Sequence, residues 1–456
     1  MTGRYKAYPE YKESGVEWLG KVPQNWSIHS LKRTIDRVTN GIWGSEPDNE
    51  NDLIVLRVAD FNRNQLNISD DKLTFRAIEP KDRTSRLLKK GDLLIEKSGG
   101  GDKTLVGCVV LFDKDYPAVT SNFVAKMTPK KGFDSSFLRY AFSQLYTGKV
   151  NFPSIKQTTG IQNLDSDAYL QESFVFPSYE EQQKIANFLD HETAKIDTLI
   201  TKQEKLIELL KEKRQAVISH AVTKGLNPNA PMKDSGVEWL GEVPEHWFVV
   251  PIKRMCEVKD GTHDTPKYVD KGENSFPLIT SKDFEGKNIS FESAKYISKE
   301  AHREIVKRSN TEVGDVLMSM IGGNIGKALI VKETAEFSIK NVALFKTTRK
   351  SALASYILYY LESGLLDIQI SLQSRGGAQG FLSLGDLRNL VFFKVPEDEL
   401  NTIVEHLDLK ISKYDRLINI ASDKIALLSE RKTALISAAV TGKIDVRDWD
   451  AQGVQG

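Results

Sequence analysis

The sequence predicts an α+β fold in which one unit of roughly 220 residues is repeated in tandem, each copy ending in a long helix. Two observations carry this prediction. The segment Lys12–Trp26 recurs as Lys233–Trp247 with the same spacing of Trp, Gly and Pro. The segments Glu180–Gly225 and Leu400–Lys443 are also alike, and both close on Ala-Val-Thr. Repeats of this length indicate two related domains rather than a solenoid.

A region of short β-type runs follows each Trp-containing segment, which we call the Trp motif. Val, Ile, Leu and Phe dominate these runs, and Gly, Asp and Asn separate them, as is typical of strands and their turns. The predicted strands include Leu53–Val58, Leu93–Glu96, Val106–Phe112 and Phe123–Met127, then Phe276–Thr280, Val316–Ile321, Ala328–Val331 and Val342–Lys346. Short helices are predicted at Ser135–Leu145 and Ala352–Leu361.

The two closing segments each predict one long amphipathic helix. Neither contains Pro, and Gly occurs only at their ends, where helices stop. Apolar residues recur three and four positions apart, about three in every heptad, which makes the stripe wider than a two-stranded seam. Two such helices, each closing one half of the chain, suggest a spacer.

Composition places limits on the function. The chain has 456 residues, of which 40% are hydrophobic and 27% charged, and its formal net charge is +1. It is therefore not a general polycation, although local basic surfaces remain possible. Its two cysteines are expected to be buried small hydrophobes in a reducing compartment. No signal core or membrane-length apolar run is present, so we expect a soluble, cytoplasmic protein.

The search for catalytic motifs yields little. The loops Gly99–Thr104 and Gly322–Lys327 do not fit the phosphate-loop pattern. One alternative is a nuclease that uses Asp48, Glu79 and Lys81 to hold a metal. The pair His263-Asp264 lacks further metal ligands. A third reading is a helical scaffold whose end domains bind protein rather than DNA.

Loops of the two halves correspond, although their interiors differ. Gly99–Lys103 corresponds to Gly322–Lys327, and Gln157–Leu164 corresponds to Ser374–Leu382. Loops with matching flanking residues and different interior residues suggest one scaffold that carries two binding specificities.

The chain resembles the specificity subunit of type I restriction–modification systems. Pro177, Glu181-Gln182, Ile185 and Leu189, followed by the long helix ending in Ala221–Thr223, match that family's helix motif. Two further segments resemble its target-recognition domains, Gly261–Pro266 and Gly376–Leu382. The second copy departs from the pattern, because Pro396 is followed by Glu399-Leu400 without the Glu-Gln pair, so the resemblance does not fix where its helix starts.

The resemblance implies two target-recognition domains separated by two long antiparallel, coiled-coil helices related by a pseudo-two-fold repeat. The implied boundaries are 1–176 and 227–395 for the recognition domains, 177–226 and 396–445 for the helices with the linker, and 446–456 for the tail. Such a subunit is a non-catalytic DNA reader that recognises a bipartite, gapped site and directs adenine methylation and restriction by its partners. S-adenosylmethionine is then expected on modification subunits, and ATP and Mg²⁺ on restriction subunits, with no cofactor or metal on this chain.

Candidate residues follow from these expectations. Phosphates attract Lys and Arg, and base edges attract amide and other polar side chains at loop tips. The candidates for DNA binding are Gly99, Gly100, Lys103, Lys156, Gln157, Gln162, Asn163, Thr262, His263, Asn324, Lys327, Arg375 and Gln379. The candidates for contact with partner-subunit helices are Ile196, Leu199, Leu206, Leu210, Val217, Leu417, Ile425, Leu428 and Leu435.

Overall fold

The computed structural model describes residues 5–99, 104–158, 160–373 and 381–450. The chain forms two compact units, one containing the residues up to Gln203 and from Lys424 onward, and the other containing residues 204–423. One long helix, Tyr179–Lys224, begins in the first unit and ends in the second. The other, Glu397–Val440, runs from the second unit into the first.

The first unit holds the strands β1 Tyr11–Glu13, β2 Lys21–Pro23, β3 Ser27–Ser30, β4 Ile35–Asn40, β5 Asp52–Leu56, β6 Phe61–Asn62, β7 Asn67–Ile68, β8 Phe75–Ala77, β9 Leu93–Glu96, β10 Ser98–Gly99, β11 Val109–Leu111, β12 Ala118–Thr120, β13 Val124–Pro129, β14 Ile155–Thr158, β15 Ile161–Leu164 and β16 Ser173–Phe176. Its helices are α1 Pro80–Arg83, α2 Ser135–Thr147, α3 Ser166–Tyr169 and the first part of α4 Tyr179–Lys224.

The second unit holds the strands β17 Met232–Asp234, β18 Glu242–Pro244, β19 Phe248–Pro251, β20 Glu257–Asp260, β21 Tyr268–Val269, β22 Ser275–Ile279, β23 Phe284–Glu285, β24 Asn288–Ile289, β25 Lys295–Ser298, β26 Val316–Ser319, β27 Ala328–Ile330, β28 Ser338–Ile339, β29 Val342–Lys346 and β30 Val391–Lys394. Its helices are α5 Lys299–Ser309, α6 Ser351–Glu362, α7 Leu365–Gln373, α8 Leu384–Arg388 and the first part of α9 Glu397–Val440.

The two units share one sheet plan. In the first unit the antiparallel order is β11-β9-β13-β4, and in the second it is β27-β26-β29-β20. Each unit also has one parallel pairing, β5 with β12 and β22 with β28. The strand β9 and its counterpart β26 are buried along their whole length, and the first three residues of each are apolar. The predicted α+β architecture with two long helices is confirmed.

The Trp motif of the first unit closes onto both long helices. The indole N–H of Trp26 donates to the carboxylate of Glu181 at the start of α4 (3.2 Å). The hydroxyl of Tyr8 donates to the same oxygen (2.7 Å). Gly442, just beyond α9, has φ +70°, and a Cβ there would stand 3.3 Å from the Trp26 ring. The motif therefore joins the start of one long helix to the end of the other.

The second unit repeats this junction with the helices exchanged. The indole N–H of Trp247 donates to Glu399 near the start of α9 (3.0 Å). Gly225, just beyond α4, has φ +72°, and a Cβ there would stand 3.4 Å from the Trp247 ring. Glu399 thus makes the same hydrogen bond as Glu181. Of the Glu181-Gln182 pair, only the glutamine is replaced, by the buried Leu400. The second helix starts at the position equivalent to the first despite the altered motif.

Within each unit the two long helices run antiparallel. In the first unit the ammonium of Lys432 donates to the carboxylate of Asp197 (2.6 Å), while Glu181, nearer the start of α4, lies beside the junction at the end of α9. In the second unit the Nε of Arg214 donates to Asp415 (2.9 Å). The two ion pairs occupy equivalent positions of the repeat, with acid and base coming from opposite helices in the two units.

The junction makes a prediction about stability. Glu399→Ala leaves the fully buried indole N–H of Trp247 without its acceptor, which costs about 1–3 kcal/mol. We expect a lower urea midpoint, followed by tryptophan fluorescence. The control is Glu405→Ala, an exposed position on the same helix, which should change the free energy of unfolding by no more than about 0.5 kcal/mol. Equal midpoints for the two variants would contradict a stabilising role for the Trp–Glu hydrogen bond.

Candidate nucleic-acid interface

Strand pairing brings two distant loops together in the first unit. β10 pairs with β15, so that Ser98 lies opposite Asn163 and Gly99 opposite Gln162. β15 also pairs with β14 to form the hairpin that follows Phe152. The described start of the glycine loop, at Ser98 and Gly99, therefore lies against the hairpin strand β15.

The second unit builds the same surface. Ile321 forms an antiparallel bridge with Phe381. The amide N–H of Leu382 donates to the carbonyl of Met320 (3.0 Å), as that of Leu164 donates to Lys97 in the first unit (2.8 Å). The two matched loops of the second half are therefore also neighbours.

The predicted residues of the first unit differ in their availability. Lys156 and Gln157 lie on β14 with exposed side chains, and Lys156 pairs with Asp165 (3.0 Å). Gln162 is 5% exposed, and its amide oxygen accepts from the N–H of Val106 (3.1 Å). We therefore assign Gln162 a structural role instead of a base contact.

Asn163 and Gly99 lie at the loop junction itself. The amide oxygen of Asn163 accepts from the hydroxyl of Ser98 (2.5 Å), and its side chain is exposed. Gly99 has φ +132°, a conformation that other residues rarely adopt. Gly100 and Lys103 lie outside the described residues.

In the second unit the candidates are also divided. Asn324 ends a short 3₁₀ helix and is exposed. The ammonium of Lys327 donates to the backbone carbonyl of Phe284, which ties this cation to its own unit. The backbone of Thr262 is fixed by Ile339 and Asn341, with N···O distances of 3.0 Å. Arg375 and Gln379 lie outside the described residues.

His263 stands at the centre of a polar chain. Its Nε2 lies 2.9 Å from the carboxylate of Asp260, and its Nδ1 lies 2.9 Å from the amide oxygen of Asn341. Arg308 bonds the other oxygen of Asp260. Both ring nitrogens face acceptors, and the hydrogen bonds to Asn341 and Asp260 raise the pKa of His263 above its ordinary value of 6.5. This arrangement favours the imidazolium.

Other residues on these surfaces were not predicted. The exposed rings of Phe123 and Phe381 lie on the two surfaces, at 55% and 52% exposure. Lys97 donates to the amide oxygen of Asn40 (2.7 Å), a contact between residues 57 positions apart. Asn341 has φ +52° at the turn before β29. The cross-strand register that gathers these residues could not be read from one sequence.

The apolar residues predicted to contact partner helices differ in their burial. Ile196, Leu428 and Leu435 belong to the hydrophobic core of the first unit, so we do not carry them forward as partner contacts. Leu210, Val217 and Ile425 are half-buried. Leu199, Leu206 and Leu417 are exposed at 41%, 42% and 48%. The unpredicted Leu209, Ile420 and Leu427 are also exposed.

The nuclease alternative finds no support in the described residues. The carboxylate of Asp48 accepts from the backbone N–H groups of Glu50 (2.9 Å) and Asn51 (2.6 Å), so it is used to close its own turn. Glu79 precedes the short helix α1, which Pro80 begins. Among the described residues we find no group of three or more His, Cys, Asp or Glu side chains suited to a metal ion. No helix within the described ranges is long and apolar enough to cross a membrane.

Comparisons with known proteins agree with one another. Residues 45–209 match the family model of the type I restriction modification DNA specificity domain. The chain is 24% identical over 318 residues to the type I restriction enzyme MjaVIII specificity subunit of Methanocaldococcus jannaschii, covering 68% of this chain and 71% of that protein. It is 22% identical over 482 residues to the MjaIX specificity subunit of the same organism, covering 98% and 99%.

Solved structures show the same fold. A structure from work on complex assembly and conformational transition of the type I R-M system covers 93% of this chain and 99% of its own, with a TM-score of 0.70 at 16% identity. The HsdS subunit from Thermoanaerobacter tengcongensis covers 93% and 98%, with a TM-score of 0.51 at 15% identity.

Together with these matches, the repeated units, their paired loops and the long helices place the chain among DNA-recognition proteins. The chain is similar over most of its length to the specificity subunits of type I restriction–modification systems, and its residues 45–209 match their DNA specificity domain. Those subunits are the non-catalytic DNA-recognition subunits of such systems.

The polar chain around His263 predicts a measurable titration. We expect a pKa above 6.5 for this residue in histidine-labelled NMR spectra. Because the folded-state pKa is raised, the stabilisation is complete below the unfolded value and is lost as pH rises through the folded value. Asp260→Asn should lower the pKa of His263 by removing the charged acceptor.

Asp264→Asn is the matched control, since the ring of His263 bonds Asp260 and Asn341 and not the neighbouring carboxylate of Asp264. The His263 signal is assigned by its loss in His263→Gln. A pKa at or below 6.5, or equal effects of the two Asp→Asn changes, would contradict the hydrogen-bond assignment.

Proposed function

We propose that this chain recognises a bipartite DNA site, two short specific blocks separated by a fixed gap, and directs adenine methylation and restriction by partner subunits. The observation that carries the proposal is the same paired-loop surface built twice with different side chains. One scaffold that presents two sets of polar groups suits two unlike half-sites. Residues 1–176 and 227–395 are then the two target-recognition domains.

The long helices 177–226 and 396–445 act as the spacer and as the platform for partners. A continuous helix rises about 1.5 Å per residue, so its length fixes a distance and a rotation that correspond to the spacing of the DNA blocks. The exposed Leu199, Leu206 and Leu417 are candidates for contact with helices of modification subunits.

Cofactors follow the same division of labour. S-adenosylmethionine belongs to the modification subunits, and ATP and Mg²⁺ belong to the restriction subunits, which join through them. This chain supplies the sequence preference, and the complex acts on DNA in the cytoplasm.

Methylation mapping of the host genome tests the proposal. Deleting the gene should abolish N6-methyladenine at one bipartite, gapped motif, and a plasmid copy should restore it. The absence of any gene-dependent motif in cells that express the chain would contradict the function. A continuous motif without a gap would contradict the two-reader arrangement.

Helix insertions test the spacer. Four residues inserted after Gln203 and four after Ala421, at equivalent positions of the repeat, lengthen each helix by about 6 Å. We expect the accepted gap to change or binding to be lost, measured with duplexes whose gap varies by single base pairs. The same insertion between Asn229 and Ala230, in the exposed linker, should leave the gap unchanged. An unchanged gap in the helix variant would disprove the spacer role.

A further inference from the structure

The strand registers of the two units identify equivalent positions on the two reading surfaces. In the first unit Val124 lies opposite Glu96, and in the second Val342 lies opposite Ser319. The residues immediately before these valines are Phe123 and Asn341. Counted back from these valines they stand at the same step of the scaffold, although the turn before them is one residue longer in the first unit, where Ile42 bonds Thr120 as Thr262 bonds Ile339 in the second.

A second equivalence follows two residues further along the central strand. Ser98 lies opposite Asn163, and Ile321 lies opposite Phe381. Asn163 and Phe381 thus also share one position. The first unit carries Phe then Asn at the two places, whereas the second carries Asn then Phe. The same two residue types are present with their positions exchanged.

In the first unit Ser98 connects the pair. Its backbone N–H donates to the carbonyl of Phe123 (3.3 Å), and its hydroxyl donates to the amide oxygen of Asn163 (2.5 Å). The phenyl ring is 55% exposed. With its oxygen held, Asn163 presents its NH₂ group as a donor, and no described residue accepts from it.

In the second unit His263 connects the pair. Its Nδ1 bonds the amide oxygen of Asn341, and its ring meets that of Phe381 edge to face, with centroids 6.1 Å apart. Phe381 is 52% exposed. Asn341 therefore also presents an NH₂ group, and His263 links it to an exposed phenyl ring, although this linking residue comes from a different loop.

We propose that Phe123 with Asn163, and Phe381 with Asn341, are base-reading pairs. Each asparagine donates to an acceptor on a base edge in the major groove, N7 or O6 of a purine or O4 of thymine, and each phenyl ring packs on the C5 methyl of a thymine. Ser98 and His263 are the positioning residues. The inference rests on the proposed function, and names the groups through which each half-site is read.

Exposure of the rings supports this assignment. Large aromatic side chains normally lie in the core, as Trp26 and Trp247 do. Two half-exposed phenyl rings at the paired loops, each beside an oriented amide, fit contact with an apolar group of a ligand. The exchange of positions gives the two units different patterns of donor and apolar contact, as two unlike half-sites require.

The test uses the full-length chain with any modification subunits that co-purify. A duplex is first selected from a random library by the wild-type protein. Asn163→Ala and Asn341→Gly then remove the donors, Gly being chosen because φ is +52° at Asn341. We expect each to weaken binding about tenfold and to relax one block of the site. Phe123→Ala and Phe381→Ala should each weaken binding several-fold.

Base analogues assign the contacts. Deoxyuridine lacks the C5 methyl of thymine, and 7-deazapurines lack the N7 acceptor. Replacing one thymine should weaken wild-type binding several-fold, and should cause no further loss in the Phe→Ala variant that reads it. If the acceptor is N7, a 7-deazapurine should weaken wild-type binding and should cause no further loss in the Asn variant that reads it. If the acceptor is O6 or O4, the contact is identified by substituting the base.

Phe75→Ala and Phe248→Ala are the controls, since these rings are 52% and 63% exposed elsewhere on the two units. They should keep wild-type affinity within about twofold. If all four reading variants retain the affinity and block preference of a gapped site, the pairs are wrong and the proposed function stands. If the wild-type protein selects no duplex, both fall.

Discussion

The hydrogen bond from a buried indole to a carboxylate at the start of a long helix is the constraint on which each unit depends. Trp26 with Glu181, and Trp247 with Glu399, fix where each helix begins relative to its own strands. A glycine with positive φ packs against the same indole at the end of the other helix. One junction therefore sets both the start of one helix and the exit of the other, and removing the carboxylate leaves a buried indole N–H without its acceptor.

One ion pair joins the two long helices in each unit, and the helix that supplies the acid in one unit supplies the base in the other. Asp197 is on α4 and Lys432 is on α9, whereas Arg214 is on α4 and Asp415 is on α9. A pseudo-symmetric chain needs only one such pair in each repeat, because an antiparallel arrangement places the acid of one copy opposite the base of the other. The repeat in the sequence thus encodes the pairing of the helices within each unit.

The sequence predicts the repeat, the long helices and the correspondence of the loops, because these depend on local periodicity and on motifs. It does not predict which loop residues are presented. Gln162 is polar yet buried, while its neighbour Ile161 is 52% exposed, because the amide is needed to accept from Val106. The altered helix motif of the second copy also misleads, since Glu399 keeps the contact while Leu400 replaces the glutamine. Such outcomes depend on register and tertiary partners, which a single sequence does not reveal.

Charge distribution bears on how such a reader discriminates. Lys97, Lys156 and Lys327 near the paired loops are all bonded within the protein, and the net charge of the chain is only +1. Non-specific affinity for DNA comes mainly from cations that neutralise phosphates, so it should be low for this chain alone. When non-specific binding is weak, contacts to bases supply a larger share of the free energy of DNA binding. Since the second block is engaged intramolecularly once the first is bound, modest contacts at each block suffice for a specific complex.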